Sequence, residues 1–434
     1  MSTYSCAGCH SMLTRAETTV CPMAHWLELA AARRPDRIAV ELRDRQLTYV
    51  ELVDRASTAA GELTTLMPVA LELSDPLEFA VALHACLLAH APAVPIDPRL
   101  SESERAARAE VAVSNSRPYR YKIRHSGVAT IMHTSGTTAA PKRVELTYGN
   151  WLANAHGSAL ALGRDAAERW LCPMPLAHVG GLSILIRSTI YATTVVLHER
   201  FDTDAVLRDL RDPARRITLV SLVPTMLARL LDAGLSDPPT LRWALLGGGP
   251  IPAPLLRRAA DAGVPVAPTY GMTEACSQIA TFGLPLHGVE LRIDEEEILV
   301  RGPIVAPGAL ATDGWLHTGD LGAVDDDGRL HITGRKADTI VSGGENVAPA
   351  EVEAVLLEHP SLADAAVFAR PDPEWGEDVI AAVVPRDGEA LDPEALKNHC
   401  MTRLASFKVP KAFELRAELP RTPSGKLLRR ELQR

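Results

Sequence analysis

The chain has 434 residues, more than one core of ordinary size encloses, so two or three domains are expected. Hydrophobic residues make up 47% of it and charged residues 23%, which excludes a disordered chain. A formal net charge of −9 and an aromatic content of 4% exclude the basic footprint and the base-stacking platforms of a nucleic-acid binder.

The first residues, Met1-Ser2-Thr3-Tyr4-Ser5, lack a basic stretch followed by an apolar one, so no secretory signal is expected. Seven cysteines in such a chain read as free thiols in a reducing cytoplasm. Cys6-Ala7-Gly8-Cys9-His10 has the spacing of covalent haem attachment, a chemistry that normally follows export. With Cys21 and His25 the spacing becomes C-x2-C-x11-C-x3-H, near that of a structural zinc site. His25-Trp26-Leu27 opens a helical run, so an inert tail over residues 1–22 is expected, with the zinc site as the alternative.

Arg37 to Leu42 reads as a strand. Phe79 to Ile96 carries no Asp, Glu, Lys or Arg, but Pro92 and Pro95 break it. It is read as a buried helix passing into an extended segment, not a membrane span. "TDAVLRDLRD" and "PTMLARLLDAG" have apolar residues three and four apart and read as helices on either side of the strand Arg216 to Val223. "LRWALLGGGPIP" and "PVAPTYGMTEA" are strands running into a Gly-rich turn and a polar loop. No repeat of solenoid period is present. This alternation predicts an α/β fold with parallel sheet.

Near residue 290 the pattern changes. "GVELRIDEEEILVRGPIV" alternates as an antiparallel ribbon would, and Gly314 to Asp338 gives two strands joined by the turn Asp325-Asp326-Asp327-Gly328. Beyond Arg335 a helix from Pro349 to Glu358, strands "DAAVFARP" and "VIAAVVPR", and a helix from Pro393 to Ala405 suffice for a small α+β unit. The expected division is a tail at 1–22, a large unit of stacked sheets with helices at 23–335, and a small unit at 336–434.

Chemistry concentrates in a few segments. After the strand "VATIMH" comes Thr134-Ser135-Gly136-Thr137-Thr138-Ala139-Ala140-Pro141-Lys142. Hydroxyls, backbone N–H groups and one Lys suit a polyphosphate, although the Walker A spacing is absent. Thr273-Glu274 follows a strand with hard oxygen donors fit for Mg²⁺. Lys426 is presented by a Ser-Gly turn near the end of the chain.

In this order, and with Gly319-Asp320 and Gly334-Arg335, these motifs resemble the acyl-adenylate-forming superfamily of acyl-CoA ligases, adenylation domains and luciferases. The resemblance spans about Trp26 to Glu431. It implies a large N-terminal domain, a small C-terminal lid that rotates at a hinge, and two half-reactions: carboxylate plus ATP gives acyl-AMP and pyrophosphate, then a thiol, usually CoA, displaces AMP. It also implies roles. Thr134, Ser135, Gly136, Thr137, Thr138 and Lys142 match the phosphate loop. Gly247, Gly248, Gly249 and Pro250 match the turn along the adenine, with Tyr270 lining the base. Thr273 matches a phosphate contact and Glu274 the Mg²⁺ ligand. Asp320 and Arg335 match the ribose contacts, and Lys426 the lysine bridging carboxylate and α-phosphate. Gly343, Gly344, Glu345 and Asn346 match the lid loop of the thioester step.

The chain departs from the superfamily pattern in places. Ala139 and Arg143 stand where the phosphate loop usually has glycines, Ala337 stands near a usually charged pivot, and the segments 282–289 and 305–314 are short.

The segment Trp170 to Ser188, "VVLHERFD" and "YGMTEACSQIAT" look like the o-succinylbenzoate–CoA ligases of menaquinone biosynthesis. That resemblance implies His178 at the pocket gate, with Ser183 and Gln278 as polar contacts. Arg187, in an otherwise apolar helix, needs a partner if it is buried, and a second substrate carboxylate would supply one. A protein acid or solvent is the alternative partner. The expected partners are a small carboxylate, ATP, Mg²⁺ and CoA, in a cytoplasmic homodimer without a membrane span or bound nucleic acid. The rival functions are a ligase for another aryl or medium-chain acid, an adenylation module loading a carrier protein, and a nucleotide-binding pseudoenzyme.

Overall fold

Along the strand Arg169–Cys172, Trp170 and Cys172 point into one hydrophobic cluster and Leu171 into another. Thr194–Leu197 does the same: Val195 and Leu197 face the first cluster and Val196 the second. Strands buried on both faces belong in a parallel sheet covered by helices on each side. The computed structural model describes residues 25–63, 67–114, 126–134, 142–373, 375–386, 388–389, 391–421 and 427–433.

The largest sheet has nine strands, in the order Leu284–Pro285, Ser277–Thr281, Val266–Met272, Trp243–Leu246, Leu219–Leu222, Arg169–Cys172, Thr194–Leu197, Ile38–Leu42, Arg45–Thr48. From Val266–Met272 to Ile38–Leu42 every neighbour is parallel; two successive antiparallel strands extend the first flank and one closes the other. Helices Tyr49–Glu62, Pro76–Leu88, Tyr148–Leu162 and Val179–Tyr191 supply the first cluster. Thr203–Arg211, Pro224–Asp232 and Ala253–Asp261 supply the second.

Pro76–Leu88 starts where Asp75 accepts the N–H groups of Leu77 and Glu78, with Pro76 in the first turn. Its chain then enters the strand Ala93–Pro95, as the apolar run predicted. That strand lies in a second sheet with Val69–Leu71, Val128–Thr134 and Lys142–Thr147.

Two further sheets follow. The first is antiparallel: Glu290–Asp294, Glu297–Arg301, Leu316–Val324 and Leu330–Arg335. Its last connection is the acidic turn, where the Asp325 carboxylate accepts N–H groups of Asp327 and Arg329 and Gly328 has φ +76°. A short 3₁₀ turn, Lys336–Asp338, leads to the second, made of Glu345–Val347, Ile340–Ser342, Gly376–Pro385, Leu362–Asp372 and Ala412–Leu415. Helices Pro349–Leu356 and Pro393–Met401 pack on it. The second helix ends before Ala405: Arg403 and Leu404 both donate to Cys400, and these tight bonds close the helix.

Cys6, Cys9, His10 and Cys21 lie outside the described residues. His25 is inside them, and its Nδ1 accepts the Leu27 N–H as the cap of Trp26–Arg33. Burial drives its imidazole down to about 4, with His90 adding repulsion, so it caps as a neutral ring. Cys86, Cys172, Cys276 and Cys400 are buried free thiols. Among the described residues no helix is long and apolar enough to cross a membrane.

The pairing of Val266–Met272 with Ser277–Thr281 slips between Tyr270 and Gly271. There the backbones approach so closely that a Cβ on Gly271 would lie 1.7 Å from the Ser277 carbonyl oxygen. Gly271→Ala is expected to cost about 3 kcal/mol of stability, read as a lower urea midpoint at constant slope. An unchanged midpoint would contradict the close approach.

Candidate active site

Parallel strands deliver their following loops to one edge of a sheet, and here three such loops carry the motifs. Trp243–Leu246 runs into Gly247-Gly248-Gly249-Pro250. A Cβ on Gly247 would sit 2.8 Å from the Thr269 carbonyl oxygen, and Gly248 has φ +80°, so both positions require glycine. Gly248, Gly249 and Pro250 are exposed. Val266–Met272 runs into the 3₁₀ turn Thr273–Ala275, which carries Thr273 and Glu274. The Ala306 N–H donates to the Glu274 carbonyl and pins the turn, and the Glu274 carboxylate has no protein partner among the described residues. Arg169–Cys172 runs through Met174 and Pro175 to His178.

Tyr270, Asp320 and Arg335 come together although they lie on three strands. The Tyr270 hydroxyl donates to Asp320 Oδ2 at 2.8 Å and Arg335 Nε donates to Oδ1 at 2.6 Å. Asp320 is 5% exposed, so its charge is held by these two contacts. Burial first, then the Asp320 charge, raises the Tyr270 hydroxyl well above the usual range. Burial opposes the Arg335 charge, but Asp320 outweighs it and raises the guanidinium. The turn before Asp320 is held by Gly319, at φ +69°, whose N–H donates to Glu297 Oε1 at 3.0 Å. Glu297 Oε2 also pairs with Lys336 Nζ at 3.2 Å, joining this turn to the Lys336–Asp338 segment.

Thr134 ends the strand Val128–Thr134 and pairs in register with the exposed Lys142. Ser135, Gly136, Thr137 and Thr138 lie outside the described residues, as does Lys426. On either side of the latter, Arg421 and Leu427 form an isolated antiparallel bridge. Gly343 and Gly344, at φ +60° and +84°, make the two-residue turn between Ile340–Ser342 and Glu345–Val347, with Glu345 and Asn346 exposed beyond it. The Trp375 ring packs against Gly343, whose N–H donates to the Trp375 carbonyl, and Lys411 Nζ lies 4.8 Å from that ring's centroid.

The four residues assigned to the carboxylate pocket gather around the helix Val179–Tyr191. His178 precedes its first turn, and its Nε2 lies 3.4 Å from Asp97 Oδ2. Ser183 Oγ donates to the Gly180 carbonyl and receives a 3.4 Å contact from Ser277 Oγ. Gln278 Nε2 donates to Thr281 Oγ1 at 2.8 Å, and its buried Oε1 has no partner.

Arg187 is 1% exposed. Its Nη2 donates to Asn154 Oδ1 and its guanidinium stands 5.9 Å from the Trp170 ring centroid, while Nε and Nη1 have no partner. Among the described residues neither a protein acid nor solvent meets this charge. Burial lowers its pKa, with weaker raising contributions from Tyr191 and Cys276. Asn154 also donates from Nδ2 to the Gln278 carbonyl, so it ties the guanidinium to the strand Ser277–Thr281.

Asp97, Asn154 and Ser277 were not singled out by sequence. Asp97 and His178 lie 81 positions apart, and no local spacing signals their contact. Ser277 had one available signal, its place one residue beyond Cys276, the C-cap of the Thr273–Ala275 turn. Cys276 and Ser277 adopt left-handed backbone at φ +56° and +93°, a conformation that side chains of this type rarely take.

The chain matches the family described as AMP-binding enzyme over residues 27–115 and 106–310, and the AMP-binding enzyme C-terminal domain over 351–426. It is 39% identical to the 2-succinylbenzoate–CoA ligase of Bacillus licheniformis, over 94% of this chain and 99% of that one. Identity to the ligase of the same name from Bacillus subtilis is 37%, over 94% and 97%. Among solved structures, the Bacillus subtilis o-succinylbenzoate CoA synthetase in complex with its acyl-adenylate intermediate superposes with a TM-score of 0.85 at 36% identity, covering 94% of this chain and 98% of that one. The same enzyme with ATP and magnesium ion gives 0.83 at 36% identity, covering 94% and 99%.

Removing the Tyr270 hydroxyl takes a donor from a buried carboxylate. Tyr270→Phe is expected to raise the KM for ATP roughly tenfold, the scale of one hydrogen bond to a charged group. The measurement is pyrophosphate release at saturating carboxylate. An unchanged KM would separate the Tyr270–Asp320 pair from nucleotide binding.

Proposed function

The chain belongs to the AMP-binding enzyme family, and from that premise we propose that it joins o-succinylbenzoate to CoA at the expense of ATP. A substrate carboxylate oxygen attacks the α-phosphate, the bond to the leaving pyrophosphate breaks, and acyl-AMP forms. The CoA sulfur then attacks the acyl carbon, its proton is lost, and AMP leaves with the bonding electron pair. In this reading Gly247, Gly248, Gly249, Pro250 and Tyr270 line the adenine, and Asp320 and Arg335 take the ribose. Thr134, Ser135, Gly136, Thr137, Thr138 and Lys142 take the phosphates, with Thr273 beside them.

Mg²⁺ fits the donor set: the uncommitted carboxylate of Glu274 offers the hard oxygen that this cation prefers. When bound, it neutralises charge on the phosphates. Lys426 stabilises the charge that develops between carboxylate and α-phosphate. Gly343, Gly344, Glu345 and Asn346 serve the thioester step, on a lid spanning 336–434 that turns against a large domain spanning 23–335. A cytoplasmic homodimer completes the proposal.

The observation that carries the substrate is Arg187. A buried cation whose Nε and Nη1 lack partners is costly unless an anion meets it. It lies nine positions beyond His178 on one helix, a rise of roughly 13 Å, so a diacid activated near His178 can reach toward it with its second carboxylate. His178, Ser183 and Gln278 are the other contacts in this reading.

Arg187→Leu should therefore lower kcat/KM for o-succinylbenzoate by roughly 2–5 kcal/mol, the range for breaking a buried charge pair. The KM for ATP should hold. The comparison is o-succinylbenzoate against benzoate-type monoacids in both proteins. A wild type without preference for the diacid, or a variant that keeps the preference, removes the substrate assignment and leaves the ligase chemistry.

Lys426→Ala tests the division between half-reactions. It should depress acyl-AMP formation by about 10²-fold or more while leaving thioester formation from supplied acyl-AMP comparatively intact. Equal losses in both steps would contradict a lid that changes its catalytic face.

A further inference from the structure

We propose that Asp97, clamped by Arg99, is the positioning residue that fixes the His178 ring at the entrance to the acyl pocket. The inference rests on the pocket assignment made above and adds a residue to it. Asp97 follows the strand Ala93–Pro95 of the second sheet, whereas His178 follows the strand Arg169–Cys172 of the nine-stranded sheet. Their contact therefore joins two sheets at the pocket mouth.

The carboxylate is a rigid anchor. It is 6% exposed and receives three hydrogen bonds from Arg99: backbone N–H and Nε to Oδ1 at 3.0 and 2.8 Å, and Nη2 to Oδ2 at 2.6 Å. His178 Nε2 lies 3.4 Å from the same Oδ2. Burial works against the carboxylate charge, yet the hydrogen bonds from Arg99 and His178 prevail and hold Asp97 far below the usual carboxylate range. Because Arg99 already balances the charge, Asp97 does not need His178 to remain ionised. Its remaining effect on His178 is to orient it.

The backbone around His178 has little freedom to do that work instead. Its N–H donates to the Pro175 carbonyl at 3.2 Å. A Cβ on Gly181 would meet the Pro175 oxygen at 2.4 Å, and one on Gly180 would meet Met174 Cε at 2.9 Å, so the loop lies flat on the start of the helix. His178 extends from that loop without capping the helix through its side chain. Ring rotation is then the soft coordinate, and the Asp97 contact removes it. The Asp97 carboxylate can only accept, so it favours the tautomer with the proton on Nε2 and leaves Nδ1 as the ring's remaining polar atom for an acyl substrate.

The test is a double-mutant cycle on the full chain with Asp97→Asn, His178→Ala and the pair, scored by pyrophosphate release. Asp97→Asn should lower kcat/KM for the carboxylate roughly tenfold, within the range for coupled neighbours, and leave the KM for ATP unchanged. In the His178→Ala background it should cost nothing further. Equal, multiplicative losses in both backgrounds would overturn the proposal, as would a matching rise in the KM for ATP.

Should Asp97→Asn fail to fold, nitrogen NMR of wild-type protein labelled at histidine decides the question, with His178 assigned by its loss in His178→Ala. The Nε2–H tautomer in mildly alkaline buffer is expected, and the Nδ1–H tautomer or an averaged ring would overturn it. If wild type does not consume o-succinylbenzoate, the substrate assignment falls. The cycle run with whichever acid supports pyrophosphate release still tests Asp97.

Discussion

A parallel sheet hidden on both faces is the constraint from which the candidate site follows. Strands such as Thr194–Leu197 and Leu219–Leu222 are buried at every position, so helices must cover both sides and each return crosses over a face. The loops then emerge at the strand ends, and the loops leaving Cys172, Leu246 and Met272 share one edge. Polar residues are tolerated there because the edge ends the hydrophobic layer. The close approaches at Gly247 and Gly271 let these loops pack against neighbouring backbone.

The antiparallel sheet beginning at Glu290 brings a separate contribution to that edge. Its strands Leu316–Val324 and Leu330–Arg335 carry Asp320 and Arg335, and these meet Tyr270 from the nine-stranded sheet. A carboxylate buried this far needs both partners, so the contact fixes the relation between the two sheets as well as the charge. Glu297 extends the arrangement by holding the Gly319 N–H and Lys336 at once. The turn that presents Asp320 and the segment leading toward the last sheet thus share one carboxylate.

Much of this was legible in the sequence because its signals were local. Apolar runs marked the parallel strands, alternation marked the ribbon near residue 290, and Asp325 to Gly328 marked a turn. Helix ends were less legible. The apolar pattern from Pro393 runs on to Ala405, but the chain tightens after Met401, where backbone bonding rather than hydrophobic period decides. In the candidate site, the order of short motifs indicated Gly247, Tyr270, Glu274, Asp320 and Arg335. Asp97 and Asn154 were invisible, since each acts through a partner on a distant element and nothing in their neighbourhood marks it.

The two ends of the helix Val179–Tyr191 treat charge in opposite ways. At its start, His178 stands beside a carboxylate that Arg99 already balances. Further along, Arg187 meets one amide oxygen and the face of Trp170, neither carrying a formal charge, so its own charge stays uncompensated. Taking a charge out of water costs several kcal/mol, which a protein anion does not offset among the described residues, so a charge kept at this depth is better explained by a ligand than by folding. On the proposed reading, that difference orients a diacid. The carboxylate that must give up its charge to form acyl-AMP belongs at the balanced end, near the nucleotide loops. The carboxylate that keeps its charge gains most at Arg187. A single helix can thereby select a second carboxylate in the substrate and decide which of the two is activated.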